Sequence, residues 1–581
     1  LAIDQTIEGT GRAIDGLHRR AVLAGLLALC VFTYLPGLLR LPAVDRTEIV
    51  FAETTRAMVE RDDWLDPRYR GAAHQFRPIG TFWAQGAVAI LAGEAYARDI
   101  RIHRIPGFLA VTLSVLALFW LAAPLIGTAA AGWAAGLFAV APLTVLLSQL
   151  AIADGLALLP ATVALVALMR IHAASENDDT LRLALLFWAA AGFGMFVNAL
   201  HTPILVATTL IALFVFERDL SWLRRLHIIK GLPLAVTLAS PWMIVRFQQD
   251  GVPFSGMDFG KFLAALGGAQ DMKLRAFPGT FAIAALLGFL PGTALLAPAL
   301  KRLWDGRAHQ RVARFLLAWI IGYIVYLEAL SSKPGTYTVQ VMFPAMALAV
   351  ALLITRHEGA SPLRWHALLW PPLAALFALV LFALPYAALR EMPPVWILPP
   401  MVAVAALFAL SAARGRAGQL QDWAKYGIAG LSLFAVTLIA GALPAIDRIW
   451  PAHQITRALE GCAPGPVAVA GFREPSAYFV LGSDETLLEP DALRAALVEG
   501  RATYVASDVR DDKVRTLSRG QYRRLKPLAC VEAFNTMRGC PLFFTIQTTG
   551  SPESCPARAA FPCTEDFITR AQAARQRPGC D

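Results

Sequence analysis

Long apolar runs separated by short charged clusters dominate the chain from Ala21 to about Ile446. A membrane-spanning helix needs about 20 mostly apolar residues, and the pattern supplies such windows repeatedly. Ala21–Leu39 carries no charge. Ile105–Met169 carries one, Asp154, and is long enough for three spans, with breaks near Pro124–Gly127 and around Asp154. Leu183–Phe216, also uncharged, predicts two short spans around Asn198, His201 and Pro203. Further spans are predicted near 231–247, 276–298, 315–330, 338–355, 366–389, 395–413 and 426–446, thirteen in all. In the first loop, Thr47–Glu60 has amphipathic helical spacing, with Ile49, Ala52, Thr55/Arg56 and Val59 about a turn apart. Thr81–Ala92 is apolar but too short to cross, which predicts a helix lying in the interface.

Beyond residue 450 the rhythm changes. Pro466–Phe472, Ala477–Gly482 and Ala502–Ser507 read as short strands, and Pro490–Glu499 has helical spacing. The segment from about Pro541 onward is rich in Pro, Cys and Ala and is expected to depend on disulfides for order. The fold class is therefore an all-α polytopic membrane domain at 1–450, with a first external loop at 42–104, followed by a small α/β domain at 451–581.

Composition and charge narrow the picture. Hydrophobic residues make up 57% of the 581 and charged residues 16%, against roughly 25% charged in ordinary globular proteins. A cytosolic enzyme, a disordered protein and a secreted domain are excluded. The net charge of +10 comes without a dense Lys/Arg tract, which speaks against a nucleic-acid partner. An odd number of spans puts the two ends on opposite sides. The predicted inner loops hold Arg218, Arg224, Arg225 and Lys230, then Lys301, Arg302, Arg307, Arg311 and Arg314, then Arg356 and Arg364, then Arg414, Arg416 and Lys425. That bias, with His18-Arg19-Arg20 before the first span, predicts a cytoplasmic N-terminus and a periplasmic C-terminal domain. No cleavage site flanks the first apolar segment, so no cleavable signal peptide is expected.

Cysteine usage is consistent with this. Of seven cysteines, Cys30 lies in the first span, while Cys462, Cys530, Cys540, Cys555, Cys563 and Cys580 all lie in the tail. An even number in one soluble segment points to disulfides in an oxidising compartment. A zinc site is the alternative, although no CxxC pair is present and the spacings are wide.

Ionisable groups at membrane depth are costly and mark function by default. The first loop opens with Asp45-Arg46-Thr47-Glu48, continues through Glu53 and Arg56, and reaches His74-Gln75-Phe76-Arg77-Pro78. Taken in isolation, Asp45 and Thr47 read first as helix caps, with Glu48 in the first turn to complement the dipole. Asp154 is expected at the external boundary of otherwise uncharged spans, a water-facing loop carboxylate being the alternative. Lys273, Arg275, Glu328, Lys333 and Tyr337 fall on the same side. Carboxylates and cations from distant loops thus converge on one membrane face, as transfer from a lipid-borne phosphate requires. Cations hold the phosphate leaving group, and a carboxylate deprotonates the incoming hydroxyl.

The order of motifs resembles polytopic lipid-linked-sugar glycosyltransferases of GT-C type, the branch that includes aminoarabinose transferase and protein O-mannosyltransferase. The likeness runs over nearly the whole length. Its first-loop motifs are Asp45-Arg46-Thr47-Glu48, Phe51-Ala52, Arg56-Ala57-Met58 and Arg77-Pro78-Ile79-Gly80-Thr81-Phe82-Trp83. Arg104-Ile105-Pro106, Leu150-Ala151-Ile152-Ala153-Asp154, Phe277-Pro278-Gly279 and Glu328 with Lys333-Pro334-Gly335-Thr336-Tyr337 follow in order. Gly471-Phe472-Arg473-Glu474-Pro475-Ser476 is a faint echo in the tail.

The resemblance implies transfer of a sugar, with inversion, from a polyprenyl phosphate to a periplasmic glycan or lipid acceptor such as lipid A or lipopolysaccharide, in the bacterial inner membrane. It implies Asp154, Glu48 and Asp45 as catalytic candidates. Arg77, Arg56, Arg104 and Lys333 would bind the donor phosphate, and Tyr337, Glu328 and Lys273 the substrate. The tail would be a lid or an acceptor-contacting surface. Relatives with and without a divalent cation exist, so no cofactor is assigned and a divalent cation stays open. Three positions depart from the pattern. Thr47 stands where an acid is expected, Asn198-Ala199-Leu200 where Lys-Gly-Pro is expected, and Thr336 where a His precedes the Tyr. Threonine cannot serve as a carboxylate base. Either Glu48, Asp45 or Asp154 takes that role, or the chain is a degenerate member that binds lipid-linked glycan or scaffolds an envelope complex. A secondary transporter is the third reading, against which no internal repeat is found.

Overall fold

The structure, a computed structural model, describes residues 2–44, 46–69, 72–73, 78–93, 98–199, 201–250, 277–329, 335–356, 394–472, 474–481, 493, 495–497, 499–509, 525–535, 540–550, 555 and 561–574. The membrane body begins with α1 (Ala2–Arg40). The segment after α1 contributes α2 (Arg46–Arg61) and α3 (Gly80–Ala92), close to the bounds their periodicity predicts. Then come α4 (Ile100–Ile126), α5 (Thr128–Val140), α6 (Pro142–Ser148), α7 (Ala153–Ala173), α8 (Leu181–Asn198), α9 (His201–Glu217) and α10 (Ile228–Asp250). Further helices span Thr280–Gly288, Thr293–Gly306, Arg311–Ala329, Phe343–Arg356, Leu398–Arg416 and Leu420–Val436.

Among the described residues, eight helices are long and apolar enough to cross a membrane, or ten if each of two bent pairs makes one span. The span expected at 366–389 lies outside the described residues. Two expected continuous spans are broken. The chain bends by 66° between α5 and α6, where Pro142 begins a new helix at a position that needs no N–H donor. The expected 276–298 span is two helices at 111°, with Pro291-Gly292 between them.

The core sits where α4, α5 and α7 meet. Val111, Leu118, Phe138, Leu165 and Trp319 are fully buried there, and Ala131, Ala134, Ala135, Ala161 and Ala164 line the helix contacts. Small residues let helices approach closely when lipid supplies no hydrophobic drive between them. Gly192 on α8 shows this need, since a Cβ there would come within 2.4 Å of the Ala235 carbonyl on α10.

The tail holds one four-stranded sheet. Val467–Ala470 pairs in parallel with Tyr504–Asp508, then Cys540–Thr548 and Lys526–Asn535 continue antiparallel. The first two strands were predicted, and the two longest were not. The expected strand at 477–482 is instead a helix, Pro475–Leu481, whose Phe479 packs against Ala43, Ile49, Ala52, Ile100 and Ala151. Packing on the membrane body overrides the β-propensity of Tyr-Phe-Val. The segment after Pro541 was expected to owe its order to disulfides, yet it opens with a strand that is central in the sheet. The cysteines do pair. Cys462 bonds Cys555, Cys530 bonds Cys563, and Cys540 is also disulfide-bonded.

Candidate functional site

One end of the membrane body is organised around a buried ion pair. Glu48 in the first turn of α2 receives Arg104 Nε on Oε1 at 2.7 Å and Nη2 on Oε2 at 2.8 Å. Both side chains are 0% exposed. Arg104 also donates to the carbonyls of Leu41 (2.5 Å) and Pro42 (2.9 Å), so four of its five N–H groups are committed. Glu48 further accepts the backbone N–H of Ala151 at 2.9 Å and of Val44 at 3.3 Å. A buried charge is tolerable only when paired and hydrogen-bonded, and this network meets that demand. It fastens α2, α4 and the approach to α7 together. Glu48, expected to be catalytic, and Arg104, expected at the donor phosphate, are thus both enclosed and engaged with each other.

Ala151 is held on its other side as well. Gln85 of α3 donates Nε2 to the Ala151 carbonyl at 3.0 Å, and its Oε1 receives the Thr55 hydroxyl at 2.9 Å. Three residues on, Asp154 occupies the first turn of α7 and is 6% exposed. Gln340, fully buried in the 3₁₀ turn Thr336–Met342, donates Nε2 to the Asp154 carbonyl at 3.0 Å. Tyr337, from the same turn, packs with Ile152, Ala153, Phe51 and Phe82. His201 Nε2 meets the Tyr323 hydroxyl at 3.0 Å.

Arg56 faces the acids of its own helix. Nε donates to Glu53 Oε2 at 2.9 Å, and Nη1 reaches Glu60. Burial pushes the Glu53 carboxyl up, against the pull of Arg56. Burial also opposes the Arg56 charge, but the two glutamates outweigh it and hold the proton more firmly than usual. Glu328 caps a helix. Its Oε1 accepts the N–H groups of Phe281 (2.9 Å) and Ala282 (3.2 Å), and its Oε2 that of Gly279 (2.9 Å), at the start of Thr280–Gly288. Asp45, Arg77, Lys273 and Lys333 lie outside the described residues. Among the described residues no group of three or more His, Cys, Asp or Glu is arranged to hold a metal ion.

A cavity of about 270 Å³ opens between the start of α2 and the tail. Arg46, Ile49, Trp450, His453, Phe472 and Glu474 line it, so the faint tail motif faces the first loop. Arg46 Nε stands 3.8 Å from Glu474 Oε2 across this junction. Sequence reasoning did not single out Gln85, Gln340 or Tyr323. The signal was there for all three, each a polar residue inside an apolar window.

No family model matches the chain. In sequence it is similar to the undecaprenyl phosphate-α-4-amino-4-deoxy-L-arabinose arabinosyl transferase of Aeromonas hydrophila, 26% identical over 338 residues, covering 57% of this chain and 59% of that protein. The protein of the same description from Aeromonas salmonicida is 26% identical over 333 residues, covering 56% and 59%. The chain therefore spans 59% of the length of these curated relatives. In structure it is similar to ArnT from Cupriavidus metallidurans bound to undecaprenyl phosphate, with a TM-score of 0.69 at 18% identity, covering 91% of this chain and 98% of that one. The chain has the ArnT-like, GT-C type fold of a multi-pass helical membrane protein, as the motif order implied.

Proposed function

We propose that the chain is an inner-membrane glycosyltransferase that moves a sugar from a polyprenyl-phosphate donor to an acceptor on the periplasmic face, such as lipid A, lipopolysaccharide or another envelope glycan. The observation that carries this reading is Asp154, a carboxylate nearly excluded from solvent at the head of a spanning helix, with Gln340 bonded to its backbone carbonyl. The curated relatives named for undecaprenyl phosphate-linked aminoarabinose supply the donor class to test first. Residues 1–450 form the transferase domain, with the N-terminus cytoplasmic. Residues 451–581 form a periplasmic domain, in keeping with the loop charges and the paired cysteines.

In the reaction, the acceptor oxygen attacks the anomeric carbon as the bond to the lipid phosphate breaks, and the phosphate leaves with the electron pair. Asp154 takes the proton of an acceptor hydroxyl. A phosphate acceptor would be ionised already near neutral pH, with a second pKa of about 6, and would make less use of a base. Arg77 and Lys333 hold the departing phosphate. Arg56 and Arg104, each already neutralised by a buried glutamate, and Glu48 shape the loop instead. The tail-facing cavity receives the acceptor.

The deciding experiment uses purified protein, undecaprenyl phosphate-linked aminoarabinose and extracted envelope lipids. Asp154→Asn should abolish transfer while the protein stays folded in detergent. Full activity in that variant would remove the assignment. A second reading, a binding protein without catalysis, is favoured by Thr47 and by the complete engagement of Glu48. It predicts wild-type protein that binds undecaprenyl phosphate and transfers nothing.

A further inference from the structure

We infer that Gln85 and Gln340 are positioning residues that aim Asp154, an inference that rests on the proposed role of that carboxylate. The segment Gln149–Ile152 is neither helix nor strand, so its path into α7 has to be fixed by contacts from outside. Two uncharged carboxamides bond the stretch Ala151–Asp154, one within the segment and one in the first turn of α7. Gln85, on a short helix of the external loop, holds the Ala151 carbonyl, and Gln340, on a turn between spans, holds the Asp154 carbonyl. The orientation of the Gln85 amide is itself set, because its oxygen receives Thr55. Gln85 is 1% exposed, Thr55 1% and Gln340 0%.

A buried carboxamide is costly unless bonded, and here both spend a donor within Ala151–Asp154. Glu48 holds the Ala151 N–H, so the peptide groups flanking Ala151 are gripped on the donor and the acceptor side. A carboxylate at the end of such a segment has its direction determined by residues that never touch substrate. Displacing a reacting group by about 1 Å costs on the order of 10²-fold in rate.

The test uses the full chain in lipid nanodiscs, with Gln85→Leu, Gln340→Leu and Gln85→Glu. The first readout needs no catalysis: the rate at which dicyclohexylcarbodiimide modifies Asp154, followed by peptide mass spectrometry with Glu328 as internal reference. The inference expects that rate to change by about threefold or more in both leucine variants. Unchanged modification in both overturns it, whether or not transfer is detected. The second readout is transfer from undecaprenyl phosphate-linked aminoarabinose, where kcat should fall by about 10- to 100-fold while KM for the donor stays within about twofold.

Gln85→Glu separates aiming from packing and serves also if the leucine variants fail to fold. Its side chain can donate to Ala151 only when protonated, so its activity relative to wild type should rise as pH falls. A ratio flat with pH contradicts the inference. Altered modification of Asp154 together with a wild type that transfers nothing would leave the positioning intact and remove the transferase reading.

Discussion

Glu48 and Arg104, 56 positions apart in the chain, form a two-point ion pair from which solvent is wholly excluded. Removing one partner strands the other charge, and breaking such a pair typically costs about 3–5 kcal/mol. Arg104→Leu and Glu48→Gln should each lower the thermal unfolding temperature in detergent markedly. The double replacement by leucine should recover part of the loss. Wild-type stability in Arg104→Leu, together with lost binding of undecaprenyl phosphate, would return Arg104 to the donor site.

Glu328 offers a sharper separation between holding a helix and holding a substrate. Glu328→Ala removes the acceptor of three N–H groups at the start of Thr280–Gly288. Loss of a cap costs about 1–2 kcal/mol. Hydrogen exchange should accelerate at the amides of Phe281 and Ala282, with transfer reduced only slightly. Unchanged exchange at those amides would contradict the capping role.

Asp99 caps α4 and gives a pH signature. Burial pushes its carboxyl up, but the side chain and backbone N–H of Arg101 outweigh burial and hold it below the ordinary value of 3.8. A depressed carboxylate contributes stability above its unfolded pKa and loses it as pH falls through the folded one. The melting temperature of wild type should therefore exceed that of Asp99→Asn at neutral pH. The gap should narrow as pH drops below about 4. A gap independent of pH would rule the cap out as its source.

The disulfide between Cys530 and Cys563 closes a separation of 33 residues. Loop-closure entropy assigns such a link about 3–4 kcal/mol. It also anchors the helix Glu565–Ala574, whose Phe567 ring lies 5.4 Å from that of Phe543 on the sheet. Replacing both cysteines by serine should make that helix the first site of limited proteolysis, read by mass spectrometry. Digestion indistinguishable from wild type would mean that Phe567 alone suffices.

What could be read from the residues follows the range of the forces involved. The amphipathic spacing of α2, the apolar shortness of α3 and the isolation of Asp154 are local properties, and each reappears close to its predicted place. Bends at Pro142 and Pro291-Gly292 were hidden because hydropathy counts apolar residues and ignores their direction. The Pro475–Leu481 helix was misread because Tyr478, Phe479 and Val480 favour strands until a partner surface is known. The long strands at 526–535 and 540–548 were masked by their cysteines and prolines, which drew attention to cross-links instead of alternation. The site was half legible. Residue type identified Glu48, Arg56, Arg104 and Glu328 as important; Arg56 is engaged by acids one turn away on its own helix, but only tertiary pairing reveals that Glu48, Arg104 and Glu328 are engaged too.

The Phe479 contact has a consequence for how the protein is made. Its ring lies 5.8 Å from His103 and covers the patch of Ala43, Ile49, Ala52, Ile100 and Ala151. Translation delivers that whole patch, and every residue gripping Asp154, long before position 479. For that interval the nascent chain carries an uncovered greasy spot beside the Ala151–Asp154 stretch. Maturation then includes a late docking event, and a chain truncated before Phe479 would present that spot to folding factors and proteases.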